Sequence, residues 1–289
     1  MNVSISKAGV FAAMIVGVSA GFTAKGELPS LDDRKWVGNF VVLEGRNFEF
    51  TLASQGKARI SAMGKKGLPI SDRLAVSLDF LVQETLSDGK IVTKAVQPAS
   101  LESSQPATLK PKDIVIRGKV TGDAGFEAYI TEDRGAISVG GKLLNLGTLT
   151  KNPLRFAIRA SFPNPYGDAK GKATENDKSA LKKEAKAMEK TMQKDRLQLK
   201  WIDGKSTKLE LIEPVDASSK EVNGPGIAAL SAEFSTYQDK KFILTASENS
   251  SMTLSNSAPK PLNGGFVVIW MADPVKDPGA KARLTVDVK

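Results

Sequence analysis

The chain has 289 residues and a formal net charge of +9, and it contains neither cysteine nor histidine. Without cysteine it has no disulfide, thiol nucleophile, thiolate metal site or lipid-modified cysteine. Without histidine it has no Ser-His-Asp triad, no imidazole base and no ordinary zinc site. Because the 41 basic residues are spread thinly along the chain, we expect no nucleic-acid partner, and we expect no cofactor.

The N-terminal 24 residues have the order of a secretory signal peptide. Lys7 supplies a positive start, residues 8–20 are uncharged and apolar, and small residues follow up to Ala24. This apolar run suits a signal sequence, and it is shorter than the roughly 20 residues that cross a bilayer. We therefore predict cleavage after Ala20 or Ala24. The mature chain is expected in the bacterial periplasm or outside the cell, without a transmembrane helix.

Beyond Pro29, apolar and polar residues alternate with the period of half-buried strands. The pattern is clear at 74–82 and 156–162, and Gly-containing turns such as Asp88-Gly89 and Asp203-Gly204 separate the strands. Short strands with this punctuation are typical of antiparallel sandwiches. The predicted fold class is all-β and mostly antiparallel, with β-sandwich-like regions.

One segment, 166–196, departs from the strand pattern. Residues 174–177 resemble a capped helix start, and 178–197 favours helix throughout. Its apolar stripe is narrow, and the rest of its surface is rich in Lys, Glu and Gln. We interpret it as a charged helix that lies on a sheet or bridges two β regions. A membrane-surface or partner-binding helix is the alternative, although the stripe lacks the large side chains of an inserting face. The stripe consists of Leu181, Ala185, Met188 and Met192.

The strand motifs recur in the same order in the two halves of the chain. Residues 73–98 parallel 196–214, and residues 126–165 parallel 242–274. This predicts two β-sandwich-like domains, at 30–165 and 197–289, joined by the helical insertion at 166–196. Alternating strands resemble one another even when they are unrelated. A single continuous sandwich with the helix on one side therefore remains the alternative to a duplication.

Carboxylates provide the acid–base chemistry that remains, since a glycosidase needs only two of them. The adjacent pairs Asp32-Asp33 and Glu132-Asp133 cannot act together on a strand, because neighbouring side chains point to opposite faces. Residues 132–135 are predicted to form a hairpin turn. No catalytic or metal-binding residue is therefore assigned.

Aromatic side chains could stack on a sugar. Trp201 and Trp270 lie in strand patterns that predict burial, whereas Trp36 and Tyr166 lie beside polar and turn residues. Trp36 and Tyr166 are therefore the candidate ligand contacts.

Together these features favour an exported, non-enzymatic β protein of the bacterial envelope or extracellular space. It would act as a binding, structural or assembly module whose partner is an envelope protein or a glycan. The alternative is a carboxylate-based hydrolase acting on polysaccharide. Two carboxyl groups about 5 to 9.5 Å apart across a cleft would favour that alternative.

Overall fold

The computed structural model describes residues 27–166, 178–210, 215–238, 240–256 and 265–289. The predicted signal peptide and the predicted helix start at 174–177 lie outside the described residues. In the described part of the chain, sixteen strands join one sheet, and every pair of named strands is antiparallel. The predicted all-β, mostly antiparallel fold is confirmed.

The elements follow the chain in this order. The strands are β1 Asn39–Glu44, β2 Phe48–Ala53, β3 Ala58–Ala62, β4 Val76–Thr85, β5 Ile91–Ala95, β6 Ile114–Lys119, β7 Gly125–Asp133, β8 Ala136–Leu143, β9 Leu154–Phe162, β10 Arg196–Trp201, β11 Ser206–Glu210, β12 Ile227–Glu233, β13 Lys241–Ala246, β14 Ser250–Asn256, β15 Phe266–Ala272 and β16 Leu284–Val288. The helices are α1 Lys178–Met192 and α2 Lys220–Asn223. Single turns of 3-10 helix lie at Asp72–Leu74, Pro98–Ser100 and Ser235–Tyr237.

The sheet is long enough to curl back on itself. Its strand order is β1-β2-β3-β4-β9-β15-β14-β12-β13-β16-β8-β7-β6, with β5 beside β4 and β10 between β12 and β11. Strands β14 and β12 are joined only through the pair Ile227 and Met252. We treat this short junction as the boundary between two layers, one running from β1 to β14 and the other from β12 to β6.

Aromatic side chains pack between the two layers. Phe162 of β9 stacks on Phe266 with ring centroids 4.5 Å apart, and it meets Phe242 of β13 edge-on at 5.7 Å. Phe126 of β7 lies 5.9 Å from Phe156 of β9. Because β9 belongs to one layer and β7 and β13 to the other, the Phe162–Phe242 and Phe126–Phe156 contacts hold the layers face to face, as in a sandwich.

Strands from both halves of the chain share this sheet. Strand β9 pairs with β15 from Phe162–Phe266 to Ile158–Trp270, and β8 pairs with β16. One hydrophobic core contains residues of both halves. Strand β4 pairs with β3, β5 and β9, whereas its sequence counterpart β10 pairs with β11 and β12. The domain boundaries and the duplication stay predictions.

The predicted hairpin turns are present. Gly89 and Gly204 have φ of +81° and +86°, and in each turn the preceding Asp accepts a 3.0 Å hydrogen bond from the backbone of the following Lys. Arg134 and Gly135 both have positive φ, which is the conformation of a two-residue type I′ hairpin between β7 and β8. Turn residues that tolerate positive φ therefore fix these strand connections.

Helix α1 is shorter than the predicted 178–197, because Arg196 and Leu197 already pair with β11 and β12. Of the predicted apolar stripe, Met188 and Met192 are half-buried and Ala185 is exposed, while the side chain of Leu181 lies outside the description. Over the described ranges, no helix combines the length and the apolar character that crossing a bilayer requires.

Candidate functional site

The two predicted ligand contacts, Trp36 and Tyr166, are both buried, with 8% of each residue exposed. The ammonium of Lys35 lies 4.4 Å from the Trp36 ring centroid. The hydroxyl of Tyr166 donates a 2.7 Å hydrogen bond to Asp195. The expected surface exposure is not observed, because each side chain packs against the protein; their contact with a ligand stays a prediction.

The buried carboxylates of the described residues are Glu84, Glu127 and Asp195. Glu84 accepts from Asn152 at 2.8 Å and pairs with Lys94 at 2.7 Å. These two donors hold the pKa of Glu84 below its ordinary value, with the Asn152 hydrogen bond as the larger cause. The carboxylate of Glu84 is therefore ionised and its charge is balanced by Lys94, so it is not suited to act as a proton donor.

Glu127 lies at the centre of a polar cluster on the outer face of β6, β7 and β8. It accepts from the Tyr129 hydroxyl at 2.5 Å, and it pairs with Arg117 at 2.8 Å and with Lys142 at 3.3 Å. The Tyr129 hydrogen bond, together with the two cations, lowers the pKa of Glu127. Arg283 lies over the Tyr129 ring, 4.8 Å from its centroid. The cluster ties three strands together through a carboxylate whose charged form its partners favour.

A different carboxylate pair lies on the β1–β2 hairpin. Glu44 is directly opposite Glu49, and opposed residues of an antiparallel pair point to the same face, with Cβ atoms about 4.5–5.5 Å apart. Burial raises the pKa of Glu49, whereas Glu44 forms an ion pair with Lys35 at 2.5 Å. Burial thus favours the protonated form of the Glu49 carboxyl, while the Glu44 carboxyl is held by Lys35. A glycosidase likewise uses two carboxyl groups, one of which acts as the acid.

The outer face of β10–β13 forms an open trough of about 510 Å³. Small residues of β12 form its floor, because Ala229 and Ser231 leave space between the longer side chains of the neighbouring strands. Gln198 is opposite Ser231, and Lys200 is opposite Ala229, so both line the same depression. The remaining outward side chains around it are Ser206, Lys208 and Ile243.

Several polar groups of this trough have no partner in the described ranges. The Ser231 hydroxyl is buried and makes no hydrogen bond there. Within the same ranges, neither the Gln198 amide nor the Ser206 hydroxyl makes a side-chain hydrogen bond, and Lys200 makes no ion pair; Lys208, by contrast, pairs with Glu210 at 3.3 Å. A concave surface with a few convergent polar groups is the usual form of a ligand-binding site.

No group of three or more acidic side chains that could hold a metal ion occurs among the residues that the structure describes. Among the described residues, the trough is lined by a neutral amide, hydroxyl groups and the ammonium groups of Lys200 and Lys208. It can donate and accept hydrogen bonds and attract a single negative charge.

Sequence reasoning missed both the trough and the Glu44–Glu49 pair. The pair was detectable, because Gly45 to Asn47 lie between an apolar segment and an alternating one, and a hairpin there sets Glu44 against Glu49. The trough was not, because it depends on β12 lying between β10 and β13.

Comparison with known proteins shows a similarity of fold and no similarity at the level of family. No protein-family model matches the chain, and no curated protein does so. Three structures of the α-N-acetylgalactosaminidase NagBb from Bifidobacterium bifidum are similar, with TM-scores of 0.50, 0.52 and 0.50 at 11%, 11% and 10% identity. They are a GalNAc complex, a Gal-NHAc-DNJ complex and a quadruple mutant. The likeness covers 86% of this chain and 35–36% of the enzyme, so the chain spans about a third of the enzyme's length.

Proposed function

We propose that this chain is an exported, non-enzymatic binding module of the bacterial envelope or extracellular space, and that it binds a glycan in the trough over β10–β13. The observation that carries the proposal is the convergence of Gln198, Lys200 and Ser206, which are exposed, with the unbonded buried hydroxyl of Ser231 at one open depression. Sugar hydroxyl groups both donate and accept hydrogen bonds, as amide and hydroxyl side chains require.

The state of the buried carboxylates supports binding rather than catalysis. A glycosidase acid must hold a proton near neutral pH, which requires a raised pKa. The pKa values of Glu84 and Glu127 are instead lowered by their donors. Asp195 accepts hydrogen bonds from Tyr166 at 2.7 Å and from the Ser235 backbone at 2.8 Å, so both of its carboxylate oxygens are occupied by hydrogen bonds within the protein.

The likeness to NagBb supports the choice of a glycan only weakly. That enzyme's name and its GalNAc complex concern a sugar, and the likeness to it extends over most of this chain at 11% identity. At such identity no residue role transfers from the enzyme, so the proposed binding site depends only on the geometry of the trough.

Export rests on the signal-like order of residues 1–24. The test is fractionation of the expressing bacterium followed by N-terminal sequencing. We expect the protein in the periplasm or the medium, beginning at Gly21 or Lys25. Recovery in the cytoplasm with an intact N-terminus would contradict export.

The binding proposal is tested with residues 25–289 against immobilised neutral and acidic glycans, for example dextran, chitin oligomers and alginate. Ala229→Trp fills the trough and is expected to abolish binding. Thr93→Trp adds the same side chain at an exposed site on β5 and is expected to leave binding intact. Glycan binding that survives Ala229→Trp in a folded protein would place the site elsewhere, and binding to none of the glycans would refute the proposal.

The Glu44–Glu49 pair favours hydrolysis as a second candidate function. Glu49, with its raised pKa, is the candidate acid, and Glu44, which is held by Lys35, is the candidate second carboxyl group. Glu44 is exposed, whereas the two carboxyl groups of a glycosidase face each other across a substrate cleft. Reducing-end release from the same glycans, lost in Glu49→Gln but kept in Ala229→Trp, would establish this function in place of the first.

A further inference from the structure

Helix α1 carries a separate charged surface. Lys182, Lys186 and Lys190 follow one another at intervals of four residues, and Lys183 lies beside them. At 3.6 residues per turn these four side chains fall within an arc of about 100°. All four are exposed. They form what we call the lysine face of α1.

The lysine face points away from the body of the protein. Met188 and Met192 are the half-buried apolar residues among the described side chains of the helix, so they mark the side that faces the protein. Their direction lies about 150° from the centre of the lysine face on the helical wheel. The ammonium groups are therefore presented to the surroundings and not to the sheets.

The lysine face lacks the compensation that other lysines of this chain have. Lys94, Lys142 and Lys241 each pair with a glutamate of the sheet, at 2.7, 3.3 and 2.9 Å. None of the four lysines of this face makes an ion pair with the part of the chain that the structure describes. Like charges four residues apart disfavour a helix, and an external anion would relieve this repulsion.

We propose that the lysine face of α1 binds an anionic lipid surface. Lysine is a compact point charge suited to diffuse attraction, and α1 contains no arginine for bidentate recognition of one anion. A 15-residue helix is straight over about 22 Å, which suits a flat surface. Because α1 also contains no aromatic residue, it rests on the headgroups by charge and does not insert. The proposal concerns a surface distinct from the glycan trough and does not depend on it.

The test is co-sedimentation of residues 25–289 with vesicles of phosphatidylethanolamine and phosphatidylglycerol, compared with vesicles of phosphatidylcholine alone. Binding is expected only to the anionic vesicles and should weaken as salt rises. The variant Lys182→Gln, Lys186→Gln, Lys190→Gln keeps good helix formers and removes three charges. At about fivefold per lysine, it should lower the partition coefficient about a hundredfold.

The matched control is Lys57→Gln, Lys112→Gln, Lys151→Gln, which removes the same net charge from exposed lysines outside α1. It should keep most of the binding, and circular dichroism should show both variants folded. If the two variants lost vesicle binding to the same extent, the binding would depend on net charge alone, and the proposal would be overturned. The face would be assigned to an acidic polysaccharide instead if the α1 variant lost the binding to soluble polygalacturonate that the wild type shows, while vesicle binding was unchanged in the variant or absent in both proteins.

Discussion

The phenol of Tyr166 donates a 2.7 Å hydrogen bond to the carboxylate of Asp195, and 8% and 2% of these two residues is exposed. Tyr166 follows β9 and Asp195 directly precedes β10, so the bond joins the two ends of the segment that contains α1. Asp195 also accepts from the backbone and hydroxyl of Ser235. Burial, reinforced by Asp195, raises the pKa of Tyr166 well above its ordinary value.

Replacing Tyr166 with Phe should lower the free energy of unfolding by about 1–3 kcal/mol, because the buried Asp195 loses one of its donors. Urea unfolding followed by circular dichroism measures the change. In the double variant with Asp195→Ala the two losses should not add, since each single substitution removes the same bond. Additive losses, or an effect of Tyr166→Phe below about 0.3 kcal/mol, would show that the bond does not stabilise the fold.

Replacing Phe162 with Ala should cost about 3–5 kcal/mol of unfolding free energy. Phe162 is 1% exposed and contacts aromatic rings of both layers, so its removal leaves a cavity between them. Chemical denaturation gives the value. Val275→Ala, at a residue 85% exposed, is the comparison and should change stability little. Similar effects of the two substitutions would contradict the central position of Phe162.

Glu127→Gln should reduce the dependence of stability on pH. The pKa of Glu127 is lowered in the folded protein, chiefly by Tyr129, so its contribution is complete above the ordinary glutamate pKa and is lost as pH falls through the folded value. The stability difference between wild type and variant should therefore shrink from neutral pH to about pH 3. Urea unfolding across this range is the measurement. Glu248→Gln, at an exposed residue, should leave the pH profile unchanged.

Gly141→Ala should destabilise the protein by about 1–3 kcal/mol. A Cβ at Gly141 would lie 2.5 Å from the Phe156 ring and 2.6 Å from the Glu127 carbonyl oxygen, so β8 could not keep its distance from β7 and β9. Gly279→Ala is the matched control, because the nearest atom to its Cβ would be a lysine side-chain carbon at 3.6 Å. Thermal unfolding of both variants tests this. Equal melting temperatures would show that β8 adapts to the added methyl group.

The strand content of this fold was predictable, because alternation reports locally which side chains face the core. The hairpin between β7 and β8 was equally local, since Arg134-Gly135 accepts positive φ. The exposure of Trp36 and Tyr166 was not predictable. The polar neighbours of a residue in the sequence do not reveal which distant residues cover it in the fold. Asp195, for example, contacts Tyr166 although it lies 29 positions away.

The sequence by itself determined the class of the protein: antiparallel strands, one long charged helix, and no thiol or imidazole chemistry. These properties depend on composition and on residues a few positions apart. The tertiary structure decided how the strands are ordered, and therefore that β9 pairs with β15 across the predicted domain boundary and that β12 lies between β10 and β13. Strand order depends on contacts between residues that are far apart in the sequence. Alternative strand pairings differ in how well these residues pack, and the local sequence pattern does not distinguish them. For that reason the trough around Ser231 became visible only in the folded chain.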